Sequence, residues 1–66
     1  MSVFSERLKK ERKKSGLTQE DVAKQLGITR SAYTYYETDK TQPSLETATK
    51  LADIFKVSLD YLIGRY

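Results

Sequence analysis

The chain has 66 residues, no cysteine, no histidine and a formal net charge of +3. A chain of this length buries only about 60% of the surface that its unfolded form exposes. With no disulfide to brace it and neither Cys nor His for a zinc site, helix packing alone must stabilise its small core.

The lack of Cys fits a cytoplasmic setting. No apolar run approaches a membrane span, and no signal-peptide pattern is present. No membrane association is expected. Modest basicity by itself is a poor argument for nucleic acid, so the distribution of charge matters more. Half of the twelve basic residues lie between positions 7 and 14: Arg7, Lys9, Lys10, Arg12, Lys13 and Lys14.

Residues 3 to 15 read as a first helix, with Phe4, Leu8 and Ser15 at helical spacing and Gly16 as its stop. Arg12 lies four residues past Leu8, on the apolar stripe, where an apolar residue is expected. Either it snorkels its guanidinium into water, or it meets a buried partner, for which Glu37 is the candidate. Most of this basic run is a solvated face, but Arg7 could reach a phosphate from the start of the helix.

Thr18 caps a second helix, with Asp21 three residues on in a capping-box-like arrangement. Val22, Ala23 and Leu26 form its apolar face, and Gly27 ends it with the positive φ that glycine adopts without steric cost. Ile28 points back to the core. Thr29 caps a third helix over 30 to 37, with Ala32, Tyr33 and Tyr36 on one side and Arg30, Ser31, Thr34 and Tyr35 on the other. The small Ala23 lets the two helices approach closely at a steep angle. The pair reads as a helix-turn-helix over about 18 to 37, its second helix placed to enter a DNA major groove.

A polar turn from Thr38 to Pro43 follows. Ser44 then caps a fourth helix with Leu45, Ala48, Leu51, Ala52 and Phe55 as its apolar stripe and Ile54 at the edge. Val57 covers the exit. Ser58 caps a last short helix carrying Leu59, Leu62 and Ile63, and Gly64 stops it. The expectation is an all-α chain of five short helices forming one domain over 1 to 66.

The stretch from 19 to 38 resembles the helix-turn-helix of the lambda-repressor-like (Xre) family of bacterial and phage DNA-binding regulators. The matching residues are Gln19, Ala23 and Gly27, with apolar positions at Val22, Leu26, Ile28, Tyr33 and Tyr36. Glu37 with Lys40 and Pro43-Ser44, and the stretch SLDYLIG at 58 to 64, fit the same family. The resemblance implies a compact five-helix lambda-repressor-like fold and sequence-specific binding of double-stranded DNA. It also implies an Arg12–Glu37 pair. It makes Gln19 a phosphate contact, where composition alone leaves a solvated first-turn residue equally open. Two positions depart from the pattern. Asp39 stands where the family usually has Gly, and Tyr33 replaces an aliphatic residue, so its hydroxyl needs a partner or an exit to water.

On this reading Arg30, Ser31, Thr34 and Tyr35 read bases. Arg30 could bond guanine O6 and N7 together, or instead hold a phosphate without sequence information. Thr18, Gln19, Arg7, Thr38, Lys40 and Thr41 are the phosphate candidates, although the loop residues could equally be ordinary polar surface. Tyr33 and Tyr36 are expected to pack. One domain makes few base contacts, so a homodimer is expected, with Ile54, Tyr61, Ile63 and Tyr66 as candidate interface unless Ile54 and Ile63 complete the chain's own core. The resulting function is a transcriptional regulator, most simply a repressor on a two-fold symmetric operator. The rival is an antitoxin-like or other protein-interaction module with secondary DNA binding. No His, Cys, carboxylate pair or Gly-rich phosphate loop supports an enzyme, and no cofactor, metal or small-molecule ligand is expected.

Overall fold

A computed structural model describes residues 2 to 65. Five helices follow one another: α1 (Val3–Lys14), α2 (Gln19–Leu26), α3 (Arg30–Glu37), α4 (Leu45–Phe55) and α5 (Leu59–Ile63). The described residues contain no strand, and no helix among them is long and apolar enough to cross a membrane.

Each helix starts on a hydroxyl. Ser2, Thr18, Thr29, Ser44 and Ser58 are the N-caps, and each side chain accepts the backbone N–H three residues on. Such a cap satisfies one of the orphan N–H groups of the first turn and contributes about 1 kcal/mol. At Thr18 the box is complete, because Asp21 in turn accepts the Thr18 N–H at 2.9 Å. These bonds hold the exposed Asp21 carboxyl below its ordinary range.

The helix ends depend on left-handed residues. Gly27, at φ 72°, turns the chain between α2 and α3 and lets the Ile28 N–H bond back to the Ala23 carbonyl at 3.0 Å. Lys56 does the same work for α4 without being glycine, at φ 57°. A side chain there costs about 1–2 kcal/mol, partly offset by the smaller entropy of the unfolded non-glycine chain. Lys56→Gly is therefore expected to raise stability by about 0.5–1 kcal/mol, checked by urea unfolding. A loss would mean that the lysine side chain contributes packing there.

The helices converge on one core. Leu8, Val22, Tyr33, Leu51 and Leu62 have no measurable exposure, and Phe4, Ala23, Ala52 and Phe55 join them. α2 packs on α3, α1 on both α3 and α5, and α4 on α2 and α5. Tyr33 and Tyr36 meet edge to face, with ring centroids 6.3 Å apart.

One core assignment changes, and one at the stripe's edge holds. Leu45 is not in the stripe of α4: it is 73% exposed. It is the first residue of its helix, where no neighbour extends far enough to cover it. Ile54 is half-buried and packs against the core. On α1, the buried side includes Ser5 and Glu11 as well as Phe4 and Leu8. Ser5 satisfies its hydroxyl on the Ser2 carbonyl at 3.0 Å, and Glu11 accepts the Tyr61 hydroxyl at 3.1 Å.

Candidate nucleic-acid interface

The two faces of α3 differ completely. Tyr33 and Glu37, one helical turn apart, are buried on the inner face. The outer face carries Arg30, Ser31, Thr34 and Tyr35, which with Thr29 line one open concavity. Arg30 and Ser31 are exposed in the first turn of the helix, and Tyr35 is 43% exposed a turn further along. Thr34 lies lower, half-buried; its hydroxyl approaches the Gln19 Oε1 at 3.1 Å and the Arg30 carbonyl at 2.9 Å. Its one proton is thus directed into the protein, leaving its methyl and lone pairs for any ligand.

Beside this concavity is a second, at the N-terminus of α2, lined by Arg12, Leu17, Thr18, Gln19, Glu20 and Arg30. Arg30 borders both. The α2 N-terminus brings unpaired backbone N–H groups and the positive end of the helix dipole; Arg30 adds a cation, Arg12, whose charge is paired with Glu37, adds spare N–H donors, and Glu20 brings a carboxylate. This is chemistry suited to a phosphate.

Beneath both concavities lies a polar network centred on Glu37, whose side chain is 1% exposed. Its Oε2 accepts from Arg12 Nε at 2.6 Å and from the Tyr33 hydroxyl at 2.6 Å. Its Oε1 accepts from Arg12 Nη2 at 3.2 Å and from Gln19 Nε2 at 3.1 Å. Arg12 also gives Nη1 to the Leu17 carbonyl at 3.0 Å. Each carboxylate oxygen has two donors, and no buried side-chain polar atom among the described residues lacks a partner. Burial alone would raise the Glu37 carboxyl, but the bonds from Arg12, Tyr33 and Gln19 outweigh it and hold the group below its usual range. Burial, with the hydrogen bond to Glu37, pushes the Tyr33 phenol well above its usual value. The bond to Glu37 raises Arg12 further.

The loop after α3 lies close to this surface. Thr38 closes α3, its hydroxyl donating to the Thr34 carbonyl at 3.1 Å. The Lys40 ammonium lies 5.5 Å from the centre of the Tyr35 ring, and the Thr41 N–H reaches the Tyr35 carbonyl. Arg7 is elsewhere. Its guanidinium donates to the Tyr61 carbonyl and stacks 4.5 Å over the Tyr61 ring, so it braces α1 against α5 rather than lining either concavity.

Of the four residues expected at a dimer contact, the three described ones do not share one face. Tyr61 turns inward to Arg7 and Glu11, Ile54 packs on the core, and Ile63 is exposed beside Val3 and Leu45 in an apolar groove. Tyr61 and Ile63 are two residues apart, which places them on opposite sides of a helix. Tyr66 lies outside the described residues.

A family model for helix-turn-helix domains matches residues 8 to 62. The chain belongs to this helix-turn-helix family. It is the lambda-repressor-like, Xre-type class to which the sequence motifs point. The HTH-type transcriptional regulator YqaE of Bacillus subtilis is 51% identical over 61 residues, covering 92% of this chain and 53% of the relative. The SPbeta prophage-derived HTH-type transcriptional regulator YonR of the same organism is 49% identical, covering 92% of this chain and 56% of the relative. The transcriptional repressor RstR of the cryptic phage CTXphi in Vibrio cholerae is 38% identical, covering 96% of this chain and 56% of the relative. The chain therefore spans about half the length of the curated relatives it matches.

Both departures from the helix-turn-helix pattern have structural solutions. Asp39 takes the left-handed conformation at φ 66°, and its carboxylate accepts the Ser2 N–H at 3.2 Å and the Gln42 amide at 3.0 Å. The Tyr33 hydroxyl finds Glu37. Sequence reasoning missed Arg12 as a lining residue of the phosphate-type concavity: its place on the apolar stripe pointed to a buried partner, and its nearness to the α2 N-terminus is set by tertiary packing.

Proposed function

We propose that this chain binds double-stranded DNA in a sequence-selective way and regulates transcription, with α3 in the major groove. One observation carries the reading. The exposed face of α3 and the N-terminus of α2 present two adjoining concavities, one fit for base edges and one for a phosphate, joined by Arg30. Ser31, Thr34 and Tyr35 read bases beside Arg30. Thr18, Gln19 and the spare donors of Arg12 hold backbone phosphate, with Lys40, Thr41 and Thr38 extending the contact. The names of the helix-turn-helix relatives support this reading.

A single short recognition helix offers few base contacts, so two copies on a two-fold axis would read half-sites about 34 Å apart. Of the described candidates for that contact, Ile63 alone is exposed. The simplest action is repression by occluding a promoter, in the cytoplasm; that RstR is named a repressor supports it.

Selection of DNA from a random pool, with binding followed by anisotropy at fixed salt, tests the proposal. A symmetric consensus with half-sites one turn apart is the expected result. Weak, unselective, salt-abolished binding would overturn it. Within that assay, Arg30→Ala is expected to lose about 1–3 kcal/mol of discrimination at one base position. An unchanged consensus would show that Arg30 holds only phosphate.

A further inference from the structure

We propose that Tyr33, which is fully buried and lies on the inner face of α3, is a positioning residue for the phosphate contact made by Gln19. This rests on the reading of the α2 N-terminus as a phosphate site. A glutamine carboxamide has two ends of nearly equal shape and opposite hydrogen-bonding character. Only the NH₂ end can help a phosphate, and a freely rotating Gln19 would present either end.

Here Glu37 fixes which end faces inward. The ionised Glu37 only accepts, so the atom facing its Oε1 at 3.1 Å must be the amide nitrogen. On the other side the Thr34 hydroxyl lies 3.1 Å from the amide oxygen and shares its one proton between that oxygen and the Arg30 carbonyl at 2.9 Å. A flipped amide would place oxygen against carboxylate. The second amide N–H is left for a ligand at the start of α2, beside Arg12 and Arg30.

The aim of Glu37 depends in turn on its other donors. Arg12 grips both oxygens, and the Tyr33 hydroxyl holds Oε2 at 2.6 Å from the same helix. Without that hydroxyl, Oε2 keeps only the Arg12 bond, and the carboxylate is free to rotate toward the guanidinium fork and off Gln19. Tyr33 thus orders the side chain before binding, so that less rotamer entropy is lost when DNA arrives.

Tyr33→Phe keeps the ring and removes only the hydroxyl. Thr34→Val releases the other end of the amide and leaves the Glu37 bonds in place. In the free protein, the Gln19 side-chain NH₂ signals in ¹H–¹⁵N spectra are expected to be well separated and slow to exchange, and to converge and exchange faster in both variants. On the selected duplex, a neutral methylphosphonate at the Gln19 phosphate should weaken wild-type binding about ten-fold. In either variant that penalty should shrink to about two-fold, with penalties at other phosphates unchanged. Identical Gln19 signals and an identical methylphosphonate profile in wild type and Tyr33→Phe would overturn the proposal. If the wild type selects no duplex, the DNA reading falls instead, and with it the phosphate role of Gln19, while the spectra still decide whether Tyr33 orders the amide.

Discussion

Arg12→Ala is expected to destabilise the protein by about 3–5 kcal/mol, because it leaves a buried carboxylate without its cation. Glu37 is 1% exposed and Arg12 13%, so water cannot readily replace the lost bonds. Tyr33 and Gln19 would remain as neutral donors, which cannot balance a full negative charge. For a domain of this size, a loss of 3 kcal/mol lowers the Tm by about 12–24 °C, a large share of a total stability of about 5–15 kcal/mol. Thermal and urea unfolding measure it. A loss under about 1 kcal/mol would mean that the pair behaves as a solvated surface bridge. The triple variant Arg12→Met, Glu37→Leu, Tyr33→Phe supplies the contrast. Replacing a whole buried ionic cluster by apolar groups is often neutral or stabilising, so it should recover most of the lost stability.

Stability is expected to be nearly level across neutral pH and to fall on both sides, each through a different member of the Glu37 network. Glu37 is held below its usual range in the folded state. Its contribution is therefore complete above the unfolded-chain value of about 4.3 and is lost as pH falls through the lower folded value. Protonation there removes the charge that Arg12 pairs with and one acceptor position. Tyr33 is raised, and the sign reverses. Its contribution is complete below the unfolded-chain value of about 10 and is lost as pH rises beyond it, because the unfolded phenol ionises while the folded one resists. Urea unfolding at stepped pH gives the profile. Tyr33→Phe should flatten the alkaline fall relative to wild type, which isolates the contribution of Tyr33. An unchanged difference in stability between the two proteins from neutral to alkaline pH would contradict the assignment.

Much of the fold was legible in the chain. Thr18, Thr29, Ser44 and Ser58 stand where helices begin, and Gly16, Gly27 and Gly64 where they end, because caps and stops act within three or four residues of themselves. The cap at Ser2 was missed, since a serine one residue from the chain start has no preceding pattern to mark it. The split of α3 into a polar side with Arg30, Ser31, Thr34 and Tyr35 and an inner side with Tyr33 and Tyr36 also followed from helical spacing alone. Leu45 was misplaced because periodicity assigns a face but says nothing of whether a neighbour reaches the end of the helix.

Spacing and capping chemistry in the sequence by themselves determined the helices, their order and the face that α3 turns outward. Those properties depend on residues close together along the chain. Only the tertiary structure decided the partners. Glu37 gathers donors from α1, α2 and α3; Arg7 is drawn to Tyr61 on α5; and Tyr61 and Ile63 part company on α5. Each outcome depends on which faces meet when helices distant in sequence pack, and a side chain with several donors goes to the acceptor that packing leaves within reach.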